Sequence, residues 1–107
     1  MNNLKALKGE ITPYSVGKDL LEKTLVDVGL EPAGTYERTD EKTIALAGVK
    51  ILSKQLVLTS ESDSESGQNY ELKQLEKRIK GTCGKWGFDA GEYLEDADSA
   101  VNNNHAW

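Results

Sequence analysis

Cysteine and histidine are scarce in this sequence of 107 residues, which has only Cys83 and His105. A single cysteine excludes an internal disulfide framework and any zinc site built from several cysteines. A single histidine excludes most nucleophile–histidine triads and most histidine-based metal sites. We therefore expect a protein that is not an enzyme and that uses no metal or other cofactor.

Long apolar stretches are also missing. No run approaches the roughly 20 residues that a membrane-spanning helix needs, and the first ten residues, MNNLKALKGE, lack the apolar core of a signal peptide. Hydrophobic residues make up 37% of the chain and charged residues 29%, a balance typical of soluble globular proteins. This composition predicts a cytoplasmic protein that makes no membrane contact.

The charges are distributed unevenly along the chain. All 13 basic side chains lie before residue 89, together with an equal number of acidic ones. The net charge of −5 therefore belongs to the segment after Phe88. A neutral body does not attract nucleic acid strongly, so no specific nucleic-acid partner is expected. The acids that carry the net charge are Asp89, Glu92, Glu95, Asp96 and Asp98.

Apolar residues recur at helical spacing, which predicts an all-α fold. The expected architecture is a small bundle of three main helices, at about 15–28, 41–58 and 70–86. One or two short helices, at 3–10 and 90–96, should accompany them. The domain prediction is a single helical domain over 3–96, followed by a mobile acidic and polar tail over 97–107.

Polar residues and glycines mark the expected helix ends. Asn3, Ser15 and Asn69 are suited to cap the helices that follow them. Gly29 fits the left-handed position after the second helix, and Gly87 is expected to end the last one.

The third helix is predicted to be the most buried. Its centre, ALAGVKIL at 45–52, is apolar on nearly all faces. Ala45, Ala47 and Gly48 are small, so another helix can approach closely there, and Ile51 and Leu52 should be buried.

The last main helix has two different faces. Leu72, Leu75, Ile79 and Trp86 form an apolar seam that also includes Cys83, so this cysteine is expected to be a packing residue, although a reactive thiol is the alternative. The other face carries lysines at 73, 77 and 80. A basic stripe can meet DNA phosphates, but three lysines supply little net field and are expected to be a solvated face.

Thr59–Asn69 (TSESDSESGQN) is predicted to be a mobile loop. Glu61, Asp63 and Glu65 alternate there as in the first half of a calcium loop. The sixth and twelfth positions of that motif would be Ser66 and Leu72, whereas calcium loops need glycine and glutamate. We therefore expect a solvated loop and no metal site.

The acidic segment after Phe88 also contains Tyr93, Leu94 and Trp107. Alternating acids with exposed apolar groups are typical of segments that dock on a partner. A disordered terminus is the alternative.

The order of these segments resembles the helical head–tail connector (neck, or adaptor) proteins of tailed phages, which are encoded in prophage structural modules. The resemblance covers residues 3–88, as LKALKGEITPYSV, DLLEKTLVDVGL, EKTIALAGVKILSKQL, a Ser/Gly-rich loop and KRIKGTCGKWGF. Connectors of this type have two longer antiparallel helices with shorter ones around them, and they assemble as rings on the portal.

The resemblance implies a structural virion-assembly protein that binds its own kind and a portal or tail protein. It would be cytoplasmic before assembly and a virion component if the phage is active. The alternative is a small regulatory module whose acidic tail occupies a basic partner. The candidate partner contacts are Glu61, Asp63, Glu65, Tyr93, Leu94 and Trp107.

Overall fold

A computed structural model describes the backbone of residues 1–62 and 68–94 and the side chains of residues 1–58 and 72–94. The all-α prediction is confirmed, because the described residues contain helices and a single β-bridge, between Asn2 and Thr35, but no strand. Residues 90–94 are also helical. The main elements are α1 (Asn3–Ile11), α2 (Lys18–Asp27), a 3₁₀ turn (Arg38–Asp40), α3 (Glu41–Ser62) and α4 (Gln68–Trp86).

The cap of α1 differs from the prediction by one residue. The side chain of Asn2, not of Asn3, accepts a hydrogen bond from the backbone N–H of Lys5 at 2.9 Å. Asn3 is buried instead, and its Nδ2 donates to the carbonyl of Glu31 at 2.8 Å. Two adjacent asparagines suit a cap equally well, and a contact 28 residues away along the chain decides which of them does so.

Two further caps were wrongly predicted. α2 begins at Lys18, and its N-cap is Gly17 in an extended conformation, so Ser15 does not cap it. α4 begins at Gln68, which places Asn69 inside the helix. Each of the four α-helices starts within three residues of its prediction, as expected where several polar residues near a helix start are suited to the cap.

The predicted loop over Thr59–Asn69 was wrong at both ends. α3 continues to Ser62 and α4 begins at Gln68, so at most residues 63–67 connect them, and these lie outside the described residues. The sequence has no glycine or proline between Gly48 and Gly67, so nothing in it breaks the helix. A polar composition indicates solvent exposure, but it does not by itself end a helix.

Both left-handed glycines end helices. Gly29 has φ of 90°, and the N–H of Leu30 donates to the carbonyl of Leu25 at 2.9 Å, as in a Schellman motif. Gly87 has φ of 78°, and its N–H donates to the carbonyl of Cys83 at 2.8 Å. The predicted ends of α2 and α4 are confirmed.

The chain divides into two compact units, Met1–Ile51 and Leu52–Trp107. In the first unit α1 packs against α2, and the loop after α2 is tied to the start of α1. The N–H of Asn3 donates to the carbonyl of Gly34 at 2.9 Å, and the N–H of Leu4 donates to that of Pro32 at 3.0 Å. The buried side chains of α1 and α2 are Leu7, Ile11, Leu21, Thr24 and Leu25, besides Asn3.

α3 is the buried helix that its sequence predicts. Six of the eight residues at 45–52 are buried, among them Ile51 and Leu52, and the other two are half-buried. In the first unit, a Cβ added to Gly48 would lie 2.9 Å from Cγ of Glu10 on α1. The small residues therefore allow a close helix approach, as predicted.

In the second unit, a hydrogen bond joins α3 to the short helical segment that follows α4. The Ser53 hydroxyl on α3 donates to the carbonyl of Tyr93 at 2.7 Å. This bond returns the chain to α3 40 residues later, after α4 has ended. Among the described side chains of this unit, the buried apolar ones are Leu52, Leu56, Leu75, Ile79 and Cys83.

Candidate interaction surfaces

The six predicted partner contacts are described unequally by the structure. Glu61 lies in the last turn of α3, and its side chain is outside the described residues, as are Asp63, Glu65 and Trp107 altogether. Tyr93 and Leu94 are described and are half-buried. Nothing brings the six together in the described part of the chain, and their roles stay predictions.

Tyr93 is held against its own chain. Its carbonyl accepts the hydrogen bond from Ser53, which is itself buried. Burial raises the pKa of the Tyr93 phenol, and the negative charge of Glu92 beside it adds to this effect. Tyr93 therefore anchors the segment from which residues 95–98 continue.

Cys83 is the packing residue that the apolar seam predicts. Its side chain is buried, and burial, reinforced by the charges of Asp89 and Glu92, raises the pKa of the thiol. A raised pKa lowers the thiolate fraction at neutral pH and so makes the thiol a poorer nucleophile. The geometry does not support the alternative of a reactive cysteine.

The lysines of α4 form an exposed face, as predicted. Lys73, Lys77 and Lys80 are all exposed, while Leu75 and Ile79 on the opposite side are fully buried. At the end of the helix, the Lys85 ammonium lies 5.2 Å from the centroid of the Trp86 ring, within the range of a cation–π interaction.

Two glycines lie within the same exposed face of α4. A Cβ added to Gly81 or Gly84 would meet no atom within 4 Å outside the helix's own backbone. Both residues are exposed, so they do not serve close packing against any residue that the structure describes. The sequence shows these glycines plainly, but their surroundings are visible only in the structure.

A cleft of about 400 Å³ between the end of α1 and the start of α2 is the feature that sequence reasoning missed. The only signal for it in the sequence was the run Thr12–Val16 between two amphipathic helices. In the structure, the Thr12–Pro13 peptide bond of this run is cis. The residues around it are Lys8, Ile11, Thr12, Pro13, Tyr14, Ser15, Val16 and Leu21.

The cleft offers hydroxyl groups and one cation. The Thr12 hydroxyl donates to the carbonyl of Lys8 at 2.9 Å. No carboxylate or histidine is among its lining residues, so it presents no general base of those kinds.

The described residues contain no group of three or more histidine, cysteine, aspartate or glutamate side chains placed to hold a metal ion. Among the described helices, none combines the length and apolarity that crossing a membrane requires.

Comparisons with known proteins found one family. No curated protein and no solved structure matches this chain. The family model that does match is described as a family of unknown function, DUF6706, and the match extends over residues 1–107. Since the whole chain is covered, the protein belongs to the DUF6706 family.

Proposed function

We propose that this protein is a phage-derived assembly subunit of the head–tail connector type, which associates with its own kind and with a portal or tail protein. The observation that carries the proposal is the helical layout. Helices of 22 and 19 residues, α3 and α4, are accompanied by shorter helices of 9 and 10 residues, and the chain returns to α3 after α4 through the bond from Ser53 to Tyr93. Connectors, which the sequence resembles, share this arrangement.

The surface chemistry supports assembly over catalysis. The described groups whose pKa is raised, Tyr36, Cys83 and Tyr93, are each shifted first by burial, which favours their neutral forms. A lysine face without ion pairs to described residues and an acidic segment are instead suited to contacts between subunits.

Electron microscopy of purified portal with added protein tests this proposal. We expect a monomer or small oligomer when the protein is alone and ring-shaped density on the portal when both are mixed. Absence of added density with the wild-type protein would contradict the connector role. A strict monomer that binds a basic partner would instead favour a regulatory module.

A matched variant tests the connection between α3 and α4. Only residues 63–67 separate the two helices, so shortening this segment would strain them. Asp63→Ser with Glu65→Ser removes two charges at constant length. If the acids contact a neighbouring subunit, the portal density weakens while the circular dichroism spectrum is unchanged. Portal density equal to that of the wild-type protein would show that Asp63 and Glu65 do not contact a neighbouring subunit.

A further inference from the structure

One exposed stripe runs along α4. Lys73, Lys77, Lys80 and Gly84 follow one another at intervals of four, three and four residues, so they share one side of the helix, with Gly81 beside them. We call these five residues the lysine–glycine face. All five are exposed, and the opposite side of α4 is buried.

The charged side chains of this face have no oppositely charged partner among the described residues. Lys73, Lys77 and Lys80 form no ion pair with any residue that the structure describes, in contrast to Lys18 and Lys23, which pair with acids on α2. Three like charges on one stripe repel each other, and the single acid at its edge, Glu76, offsets only part of that repulsion. An acidic partner relieves the rest.

The glycines add an independent observation. Glycine destabilises a helix interior relative to alanine, and nothing near Gly81 or Gly84 requires the absence of a side chain. Bare backbone on an exposed helix face lets another chain approach closely. The partner is therefore expected to lie directly on the helix just beyond Lys80, next to the lysines.

The chain itself supplies a segment of complementary charge. Glu95, Asp96 and Asp98 follow the described residues, and no lysine or arginine accompanies them. The lysine–glycine face carries three positive charges and residues 95–98 carry three negative ones, so the two are complementary in sign and number.

The acidic segment begins on the buried side of α4, opposite the lysine–glycine face of the same helix. The Tyr93 carbonyl is bonded to Ser53 on α3, and the charges of Asp89 and Glu92 act on Cys83, on the buried side of the helix. Asp98 is four residues beyond Leu94, a reach of at most about 14 Å. Half the circumference of a helix with its side chains is roughly 16–19 Å. The acids therefore meet the face of another copy more readily than their own.

We propose that the lysine–glycine face of α4 binds the acidic segment at residues 95–98 of a second copy of this chain. The inference rests on the proposed self-association and specifies which surfaces meet. Such a contact joins two different surfaces, so repetition generates a ring when the rotation closes.

Fluorescence anisotropy with a labelled peptide of residues 89–107 tests the contact on the full-length protein. We expect saturable binding at low ionic strength that weakens several-fold in 0.5 M salt, because surface charges are screened. Lys73→Glu, Lys77→Glu and Lys80→Glu together should lower the affinity at least about tenfold, since three attractions become repulsions.

The matched control moves the same change of charge elsewhere. Lys5→Glu, Lys8→Glu and Lys54→Glu alter three exposed lysines outside the face and should leave the affinity within about twofold. Circular dichroism checks that both triple variants are folded. An equal loss of peptide affinity in the two triple variants would mean that only the net charge of the protein matters, and it would overturn the inference.

Exchange of charges shows whether the contact is direct. A peptide with Glu95→Lys, Asp96→Lys and Asp98→Lys should bind the face variant and not the wild-type protein. Failure of this rescue would contradict the pairing. Peptide binding that is seen only after residues 95–107 are deleted from the protein would also contradict it. That result would mean that, in the full-length protein, the chain's own acidic segment occupies the face. A DNA duplex that binds the face when the peptide does not would also overturn it.

These outcomes are separate from the test with the portal. Peptide binding without density on the portal would support this contact and reject the connector role. Density on the portal without peptide binding would reject this contact alone.

Discussion

Gly81 and Gly87 differ in their surroundings and backbone conformation, and substitution by alanine should affect them in opposite directions. Gly81 has open space around its Cβ position, whereas Gly87 has φ of 78°, which other residues rarely adopt. Gly81→Ala should raise the free energy of unfolding by about 1 kcal/mol, because alanine is the better helix former. Gly87→Ala should lower it by roughly 1–2 kcal/mol, because of the left-handed conformation. Urea denaturation measures both, and a loss of stability in Gly81→Ala would contradict the exposed position.

Single residues also explain why the caps were hard to predict. Asn2 and Asn3 are chemically identical, and Asn3 becomes the buried one through its bond to the Glu31 carbonyl. Gly29 and Gly87, in contrast, were predictable, because a left-handed helix end is a local requirement that glycine meets best.

Among the helices, α3 carries the clearest stability prediction. Leu52 is 3% exposed and Leu58, on the same helix, is 59% exposed. Leu52→Ala should lower the free energy of unfolding by about 2–5 kcal/mol through lost burial and the cavity left behind. Leu58→Ala, the matched control, should change it by less than about 0.5 kcal/mol. Chemical denaturation of both variants checks this, and equal losses would mean that the burial pattern of α3 is wrong.

The lengths of α3 and α4 were less predictable than their buried faces. The apolar seam of α4 indicated Leu75, Ile79 and Cys83, and all three are buried. The polar stretch between the helices was interpreted as loop because its residues carry no apolar period, yet helix continues through its first four residues. Periodicity indicates which face is buried, and a polar exposed turn at a helix end gives no such signal.

For the chain as a whole, the acidic segment is expected to contribute little to stability. Deleting residues 98–107 removes no predicted core residue, so helicity and melting temperature should stay nearly unchanged. Circular dichroism during heating measures both. A drop of many degrees would show that Trp107 packs on its own chain, and it would weaken the prediction that this segment docks on a partner.

Residue order alone established the all-α class, the buried faces of α3 and α4, and the separation of a neutral body from an acidic segment. These depend on local spacing and on counting charges, which neighbouring residues along the chain determine. The burial of Asn3 and the return of Tyr93 to Ser53 depend instead on contacts between distant residues. The position from which the acidic segment leaves the described chain was likewise decided by the tertiary structure. It depends on the hydrogen bond between Ser53 and Tyr93, which are 40 residues apart in the sequence.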